Sequence, residues 1–122
     1  MQDDQLSRKL RETAIVGRIG KLYIHVYTRD EGKTPHFHVI NRDMTFDCLI
    51  KILEPEYYQH GSYTDMLSKR TIKTLMKFLE SPKRSTRYIG TNWNNLIDLW
   101  NTSLNRRKVD MNHPMPDYTK LK

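Results

Sequence analysis

Cysteine is nearly absent from this chain, which has one cysteine among 122 residues. A single thiol excludes an internal disulfide and favours a reducing compartment. No apolar run approaches the roughly 20 residues that a membrane-spanning helix needs. The opening residues Met1-Gln2-Asp3-Asp4 are acidic and not followed by an apolar segment, which is unlike a secretory signal. We therefore expect a cytoplasmic protein that does not enter a membrane.

Internal repeats, zinc-finger spacings, Gly-rich phosphate loops and helix-turn-helix patterns are also missing. With 122 residues, 37% of them hydrophobic and 29% charged, the chain suits one small domain with one core. We expect residues 1–104 to form this domain. Residues 105–122 contain Pro114 and Pro116 and show no periodic pattern, so they are expected to be a basic tail, extended or disordered in isolation.

Two segments alternate with the period of a β-strand. Apolar Leu22, Ile24 and Val26 alternate with Tyr23, His25 and Tyr27, and Phe37 and Val39 alternate with His36 and His38. A slip of one residue would bury the histidines and expose the aliphatic side chains. We therefore expect a hairpin with Val26 opposite Phe37, Ile24 opposite Val39, and His25 opposite His38.

A third strand over residues 46–53 carries a carboxylate. Pairing across the turn 41–44 predicts Val39 opposite Phe46 and His38 opposite Asp47. The face away from the core would then gather four polar side chains: His25, His36, His38 and Asp47. Leu49 and Leu53 fall on the same face, which indicates that it is partly apolar and roofed by a helix or a partner chain.

These four residues are the candidate site, and three interpretations of them stay open. They could hold a divalent metal that activates water, or use one neutral and one protonated histidine as base and acid in RNA cleavage. They could form a patch that binds a protein without turnover, next to Tyr23 and Tyr27. They could also be ordinary strand residues, with His38 and Asp47 as a plain hydrogen-bonded pair. Cys48 falls on the core side, where a buried thiol is a poor nucleophile.

The remaining elements are predicted as one strand and three helices. Residues 13–19 form a first strand that turns at Gly20-Lys21, and residues 3–12 form a weak helix. A second helix, capped by Ser62 or Thr64, follows the apolar residues Ile72, Leu75, Met76 and Leu79 and ends at Ser81-Pro82. A third begins at Thr91 or Asn92, with an apolar stripe of Trp93, Leu96, Ile97, Trp100 and Leu104. We expect an α+β fold, a small antiparallel sheet of three to four strands followed by two C-terminal helices.

Positive charge is concentrated in the last third of the chain. Of the net charge of +7, residues 81–122 contribute +5, from 8 basic and 3 acidic residues. A basic loop and tail could neutralise the phosphates of RNA or DNA, although a merely solvated basic surface would show the same composition. The candidate nucleic-acid-binding residues are Lys83, Arg84, Arg87, Arg106, Arg107 and Lys108.

The segment Pro35-His36-Phe37-His38-Val39, the acidic residue on the following strand and the helix over residues 94–101 together resemble the small bacterial domain-of-unknown-function family 4160. Members typically show Pro-Pro-His-x-His-Val and close with a helix of the pattern Asn/His-x-x-x-Leu-x-x-x-Trp. The likeness runs from about residue 22 to residue 104, with Thr34 in place of the first proline, an enlarged segment 55–63 and an added basic tail. It implies a bacterial or phage protein of the kind found in toxin-antitoxin gene pairs, a toxin-like role and an antitoxin-type protein partner.

Overall fold

In the computed structural model, residues 13–27, 34–58, 64–84, 89–102 and 107–122 are described. The elements are β1 Thr13–Ile19, β2 Leu22–Tyr27, β3 His36–Asn41, β4 Asp47–Lys51, α1 Lys69–Glu80, α2 Asn92–Asn101 and a 3₁₀ turn Tyr118–Lys120. One antiparallel sheet followed by two helices confirms the predicted α+β class. The helix predicted over residues 3–12 lies outside the described residues. Within the described ranges, neither helix has the length and apolarity needed to cross a bilayer.

The four strands form a meander in the order β1-β2-β3-β4, with every neighbouring pair antiparallel. The β1–β2 turn is tight because Gly20 adopts a φ of 57°, a conformation that glycine reaches without steric penalty. A bulge between Ile15 and Gly17 interrupts the register of β1. The extra residue, Val16, is turned into the core at 1% exposure.

The register of the central hairpin is as predicted, with Ile24 opposite Val39 and His25 opposite His38. The predicted register of β4 is wrong by two residues, because Val39 pairs with Cys48 and Asp47 lies opposite Ile40. The connection is longer than expected: Asp43 accepts hydrogen bonds from Thr45, and Asn41 accepts one from the backbone of Phe46. A shift of two residues keeps each side chain on its predicted face.

Both helices begin at side-chain caps and pack on the same face of the sheet. Ser68 caps α1, rather than Ser62 or Thr64, and Thr91 caps α2 in a reciprocal capping box with Asn94. The buried side chains of α1 (Ile72, Leu75 and Leu79) and those of α2 (Trp93, Leu96, Ile97 and Trp100) join one core with the aliphatic face of the strands. This places the even-numbered side chains of β3 on the other face of the sheet, where His36, at the start of the strand, still reaches Trp100 of α2.

Residues 107–122 differ from the expected tail. Val109 and Tyr118 are buried in the same core, and the Tyr118 hydroxyl donates to the Lys51 carbonyl at 2.7 Å. The two indoles of α2 hold the returning chain: Trp93 Nε1 donates to His113 O and Trp100 Nε1 donates to Arg107 O. Buried indole N–H groups need acceptors, and the backbone of residues 107–122 supplies them. The sequence of this segment alone does not reveal that role.

Candidate functional site

The three histidines of the central hairpin lie together on the sheet face opposite the aliphatic core. We call His25, His36 and His38 the histidine layer. Their relative exposures are 0%, 1% and 5%, so this face is covered, as the apolar Leu49 and Leu53 on it indicated. The physical reason is that this face is also packed: Leu49 and Ile40 are buried beside the histidines, and the Tyr58 ring packs against His36 at a tilt.

Aromatic contacts order the histidine layer. The rings of His25 and His38 are stacked, with centroids 5.5 Å apart and planes 16° from parallel. Tyr27 meets His38 edge-on at 4.4 Å, and His36 lies 5.3 Å from His38. On its other sides His36 contacts Tyr58 at 4.4 Å and the α2 residue Trp100 at 5.6 Å. Such contacts restrict each ring to one orientation.

Two hydrogen bonds define the tautomers of the layer. His36 Nδ1 lies 2.8 Å from the Thr34 carbonyl oxygen, which can only accept, so Nδ1 carries the proton. His38 Nδ1 lies 2.9 Å from Asp47 Oδ1, and an ionised carboxylate likewise only accepts. Both residues are therefore in the tautomer that carries its proton on Nδ1.

Asp47 links the histidine layer to solvent, because 33% of the Asp47 side chain is exposed whereas only 7% of the His38 side chain is. Its backbone is held on both sides by Asp65: the Asp47 N–H donates to Asp65 Oδ2 at 2.8 Å, and the Asp65 N–H donates to the Asp47 carbonyl at 3.0 Å. The carboxylate that orients His38 is thus itself fixed by a neighbouring segment. Although Asp47 sits opposite Ile40, the diagonal position still brings it to His38.

The stacking of His25 on His38 bears on the predicted metal site. Imidazole binds metals through lone pairs in the ring plane, and the stacked rings of His25 and His38 place these lone pairs in nearly parallel planes. No group of three or more His, Cys, Asp or Glu side chains in the described part of the chain is arranged to hold a metal. The geometry favours proton transfer over metal ligation, and metal binding stays a prediction.

Cys48 occupies the core side of β4, as expected, and has no exposed surface. Burial raises the pKa of its thiol far above the ordinary value, and the nearby Asp47 and Asp65 carboxylates raise it further. A thiol with a raised pKa is a poor nucleophile. Cys48 is therefore a packing residue and takes no part in the candidate site.

The predicted nucleic-acid-binding residues fall into two groups at opposite ends of α2. Lys83 and Arg84 precede it, and Lys83 Nζ reaches the Val16 carbonyl at 3.5 Å. Arg107 and Lys108 follow it, and Lys108 donates to the Asn101 carbonyl at the helix end. Since α2 has 10 residues, the groups are separated by about 15 Å along its axis. Arg87 and Arg106 lie outside the described residues.

Comparison with protein-family models, curated proteins and solved structures found no match for this chain. The resemblance to family 4160 therefore stays a prediction.

Sequence patterns missed two contributors to the site. Tyr58 and Asp65 belong to an irregular segment after β4, where no periodicity specifies which side chain returns to the sheet. The backbone N–H of Tyr58 donates to the Leu49 carbonyl at 2.9 Å, which brings its ring over His36. The one available signal was the pair of tyrosines at 57 and 58, since aromatic residues in a polar loop commonly pack against a neighbouring surface.

Proposed function

We propose that this chain is a small toxin-like protein that acts on RNA or DNA through the histidine layer. The observation that carries the proposal is the hydrogen bond between His38 Nδ1 and Asp47 Oδ1. A carboxylate in this position holds the imidazole in one tautomer and stabilises its protonated form, which prepares Nε2 for general acid–base work. The resemblance to family 4160 supports the toxin-like role and an antitoxin-type partner, and the lone cysteine supports a cytoplasmic setting.

The reaction that this chemistry serves best is cleavage of RNA at its own 2′-hydroxyl. One imidazole takes the 2′-hydroxyl proton as the oxygen bonds to phosphorus, and a protonated imidazole gives a proton to the departing 5′ oxygen. The products are a 2′,3′-cyclic phosphate and a 5′-hydroxyl. His38 is the better-supported proton carrier because of Asp47, and His36 is the neighbour that would act in the opposite protonation state. DNA lacks the 2′-hydroxyl and would be bound without cleavage.

A second candidate function is a protein- or nucleic-acid-binding module without turnover. It is favoured by the burial of the three imidazoles, none of which exceeds 5% exposure. The part of the His38–Asp47 pair that opens to solvent is Asp47, on the Nδ1 side of the ring, whereas Nε2, which would have to meet the substrate, is buried. In such a binding module, the histidine layer would have a structural role in packing one face of the sheet. Binding would then depend on the exposed residues that surround the layer.

The experiment that separates the two is incubation of a fluorescently labelled RNA with the protein, followed by analysis of the 3′ ends. Cyclic phosphate ends that disappear in His38→Gln and fall at least tenfold in Asp47→Asn support acid–base cleavage, since positioned proton transfer contributes roughly 100-fold or more. Cleavage that persists in both variants refutes the assigned roles. Binding without any cleavage supports the module.

A matched control is needed because His38 is buried. His113→Gln is suitable, as His113 is only partly buried and contributes its backbone carbonyl, not its ring, to Trp93. Thermal melts of all variants accompany the cleavage assay. Loss of cleavage in Asp47→Asn at an unchanged melting temperature assigns the effect to chemistry, because Asn keeps the shape of Asp and removes its charge.

A further inference from the structure

The outer surface of α1 carries only positive charge over most of its length. We define the α1 basic face as Lys69, Arg70, Lys73 and Lys77, all of which are exposed. The lysines are spaced four residues apart, so they form one row about 12 Å long on a single side of the helix. The only acidic residue of α1 is Glu80, its last residue.

This arrangement works against the stability of the helix. Lysines at i and i+4 repel each other, and Lys69 and Arg70 stand in the first turn, at the positive end of the helix dipole, where no acidic residue compensates them. Among the residues that the structure describes, none of the four forms an ion pair. A solvated face selected for stability would alternate the two signs, so the pattern indicates a surface for an external anion.

Further basic residues extend the face at both ends. A surface depression of about 250 Å³ at the start of α1 is lined by Lys21 and Arg70, together with Thr71 and Thr74. A second depression of about 310 Å³, beyond the end of α1, is lined by Lys83 and Arg84. Positive groups thus continue from the β1–β2 turn to the α1–α2 connection, along a path longer than one small anion requires.

We propose that the α1 basic face is a docking surface for the phosphate backbone of a nucleic acid strand. The buried side of α1 joins the core between the helices and the sheet, so this surface lies on the opposite side of the sheet from the histidine layer. It rests on the proposed function for the class of polyanion, and it assigns affinity for that polyanion to a surface separate from the histidine layer. Contacts to phosphates give affinity without sequence selectivity.

The test is fluorescence anisotropy with a short single-stranded 2′-O-methyl RNA, which has no 2′-hydroxyl to react, titrated at several salt concentrations. In the triple variant Lys69→Gln/Lys73→Gln/Lys77→Gln we expect binding to weaken at least tenfold, and the slope of log affinity against log salt to fall by about two units, at roughly 0.7 per lost contact on a single strand. Its melting temperature should be equal or higher, because glutamine is a good helix former and the repulsion is removed.

The matched control removes the same charge elsewhere, in Arg42→Gln/Lys120→Gln/Lys122→Gln, all exposed positions off α1. Near-parental affinity of this control, together with the loss in the α1 variant, supports the docking surface. An equal loss of RNA affinity in both triple variants would mean that only net charge matters, and it would overturn the proposal. The absence of RNA binding at low salt would overturn it as well. Tighter binding of polyglutamate than of RNA would indicate an acidic protein partner instead. Because the probe cannot be cleaved, none of these outcomes depends on His38.

Discussion

Replacing Tyr118 tests whether the C-terminal segment belongs to the core. Its ring is fully buried, with edge-on contacts to Phe37 at 6.0 Å and to Trp93 at 6.3 Å, and its hydroxyl donates to the Lys51 carbonyl at 2.7 Å. Tyr118→Phe removes only the hydrogen bond and should lower the free energy of unfolding by about 1 kcal/mol. Tyr118→Ala also leaves a cavity and should lower it by about 3–5 kcal/mol.

Chemical denaturation followed by tryptophan fluorescence measures both variants, because Trp93 reports directly on the Tyr118 ring. For a domain of this size, which is stable by about 5–15 kcal/mol, the alanine variant loses a large part of its stability. The phenylalanine variant stays folded and should melt roughly 4 °C below the parent. Lys120→Ala, in the same 3₁₀ turn but exposed, is the control and should change stability by less than about 0.5 kcal/mol.

The same residue predicts a loss of stability at high pH. Burial raises the pKa of Tyr118 well above its usual range, so the folded state favours the neutral phenol. An unfolded tyrosine ionises near pH 10, and stability should therefore be fully present below about pH 10 and fall above it. Tyr118→Phe should flatten this alkaline dependence. A Tyr118→Ala variant as stable as the parent would refute the packed arrangement and restore the tail that the sequence suggests.

Three other outcomes follow from features described above. Cys48 should resist thiol reagents at neutral pH in the folded protein and react only at the rate of unfolding, and rapid labelling of the native state would contradict its burial. Gly17→Ala should destabilise by about 1–3 kcal/mol, because a Cβ there would lie 2.1 Å from the Phe78 ring; a double-mutant cycle with Phe78→Ala should remove most of this effect. Protein purified without a histidine tag should contain less than one equivalent of divalent metal, since the stacked imidazoles do not converge; stoichiometric metal that is lost in His38→Ala would return the metal hypothesis to the site.

Alternation of side chains predicted the sheet faces well and the strand register less well. The aliphatic positions of β2 and β3 have one pairing that buries them all, and Ile24 lies opposite Val39 as expected. The β3–β4 register depended on the length of a turn that is closed by Asn41 and Asp43 side chains, with Met44 at a φ of 61°. Local side-chain hydrogen bonds of this kind leave no periodic signal.

The identity of the segment that covers the histidines was beyond the reach of the same reasoning. Parity places His25 and His38 on the face away from the aliphatic core, and Leu49 and Leu53 predicted that this face is covered, but the pattern does not tell which segment covers it. Tyr58 covers His36 from a loop without periodicity, and Tyr118 fills the core from a segment in which two prolines suggested disorder. Both depend on contacts between residues far apart in sequence, which local patterns do not encode.

The hydrogen bond between Tyr118 and Lys51 joins residues 67 positions apart, whereas the meander sheet is built from neighbouring hairpins. Closing a long loop costs more conformational entropy than closing a short one, so the hairpins can form early in folding and the C-terminal segment docks late. Interactions made after the transition state slow unfolding more than they speed folding. We therefore expect the indole and tyrosine contacts of this segment to lower the unfolding rate of the native state more than they raise its folding rate.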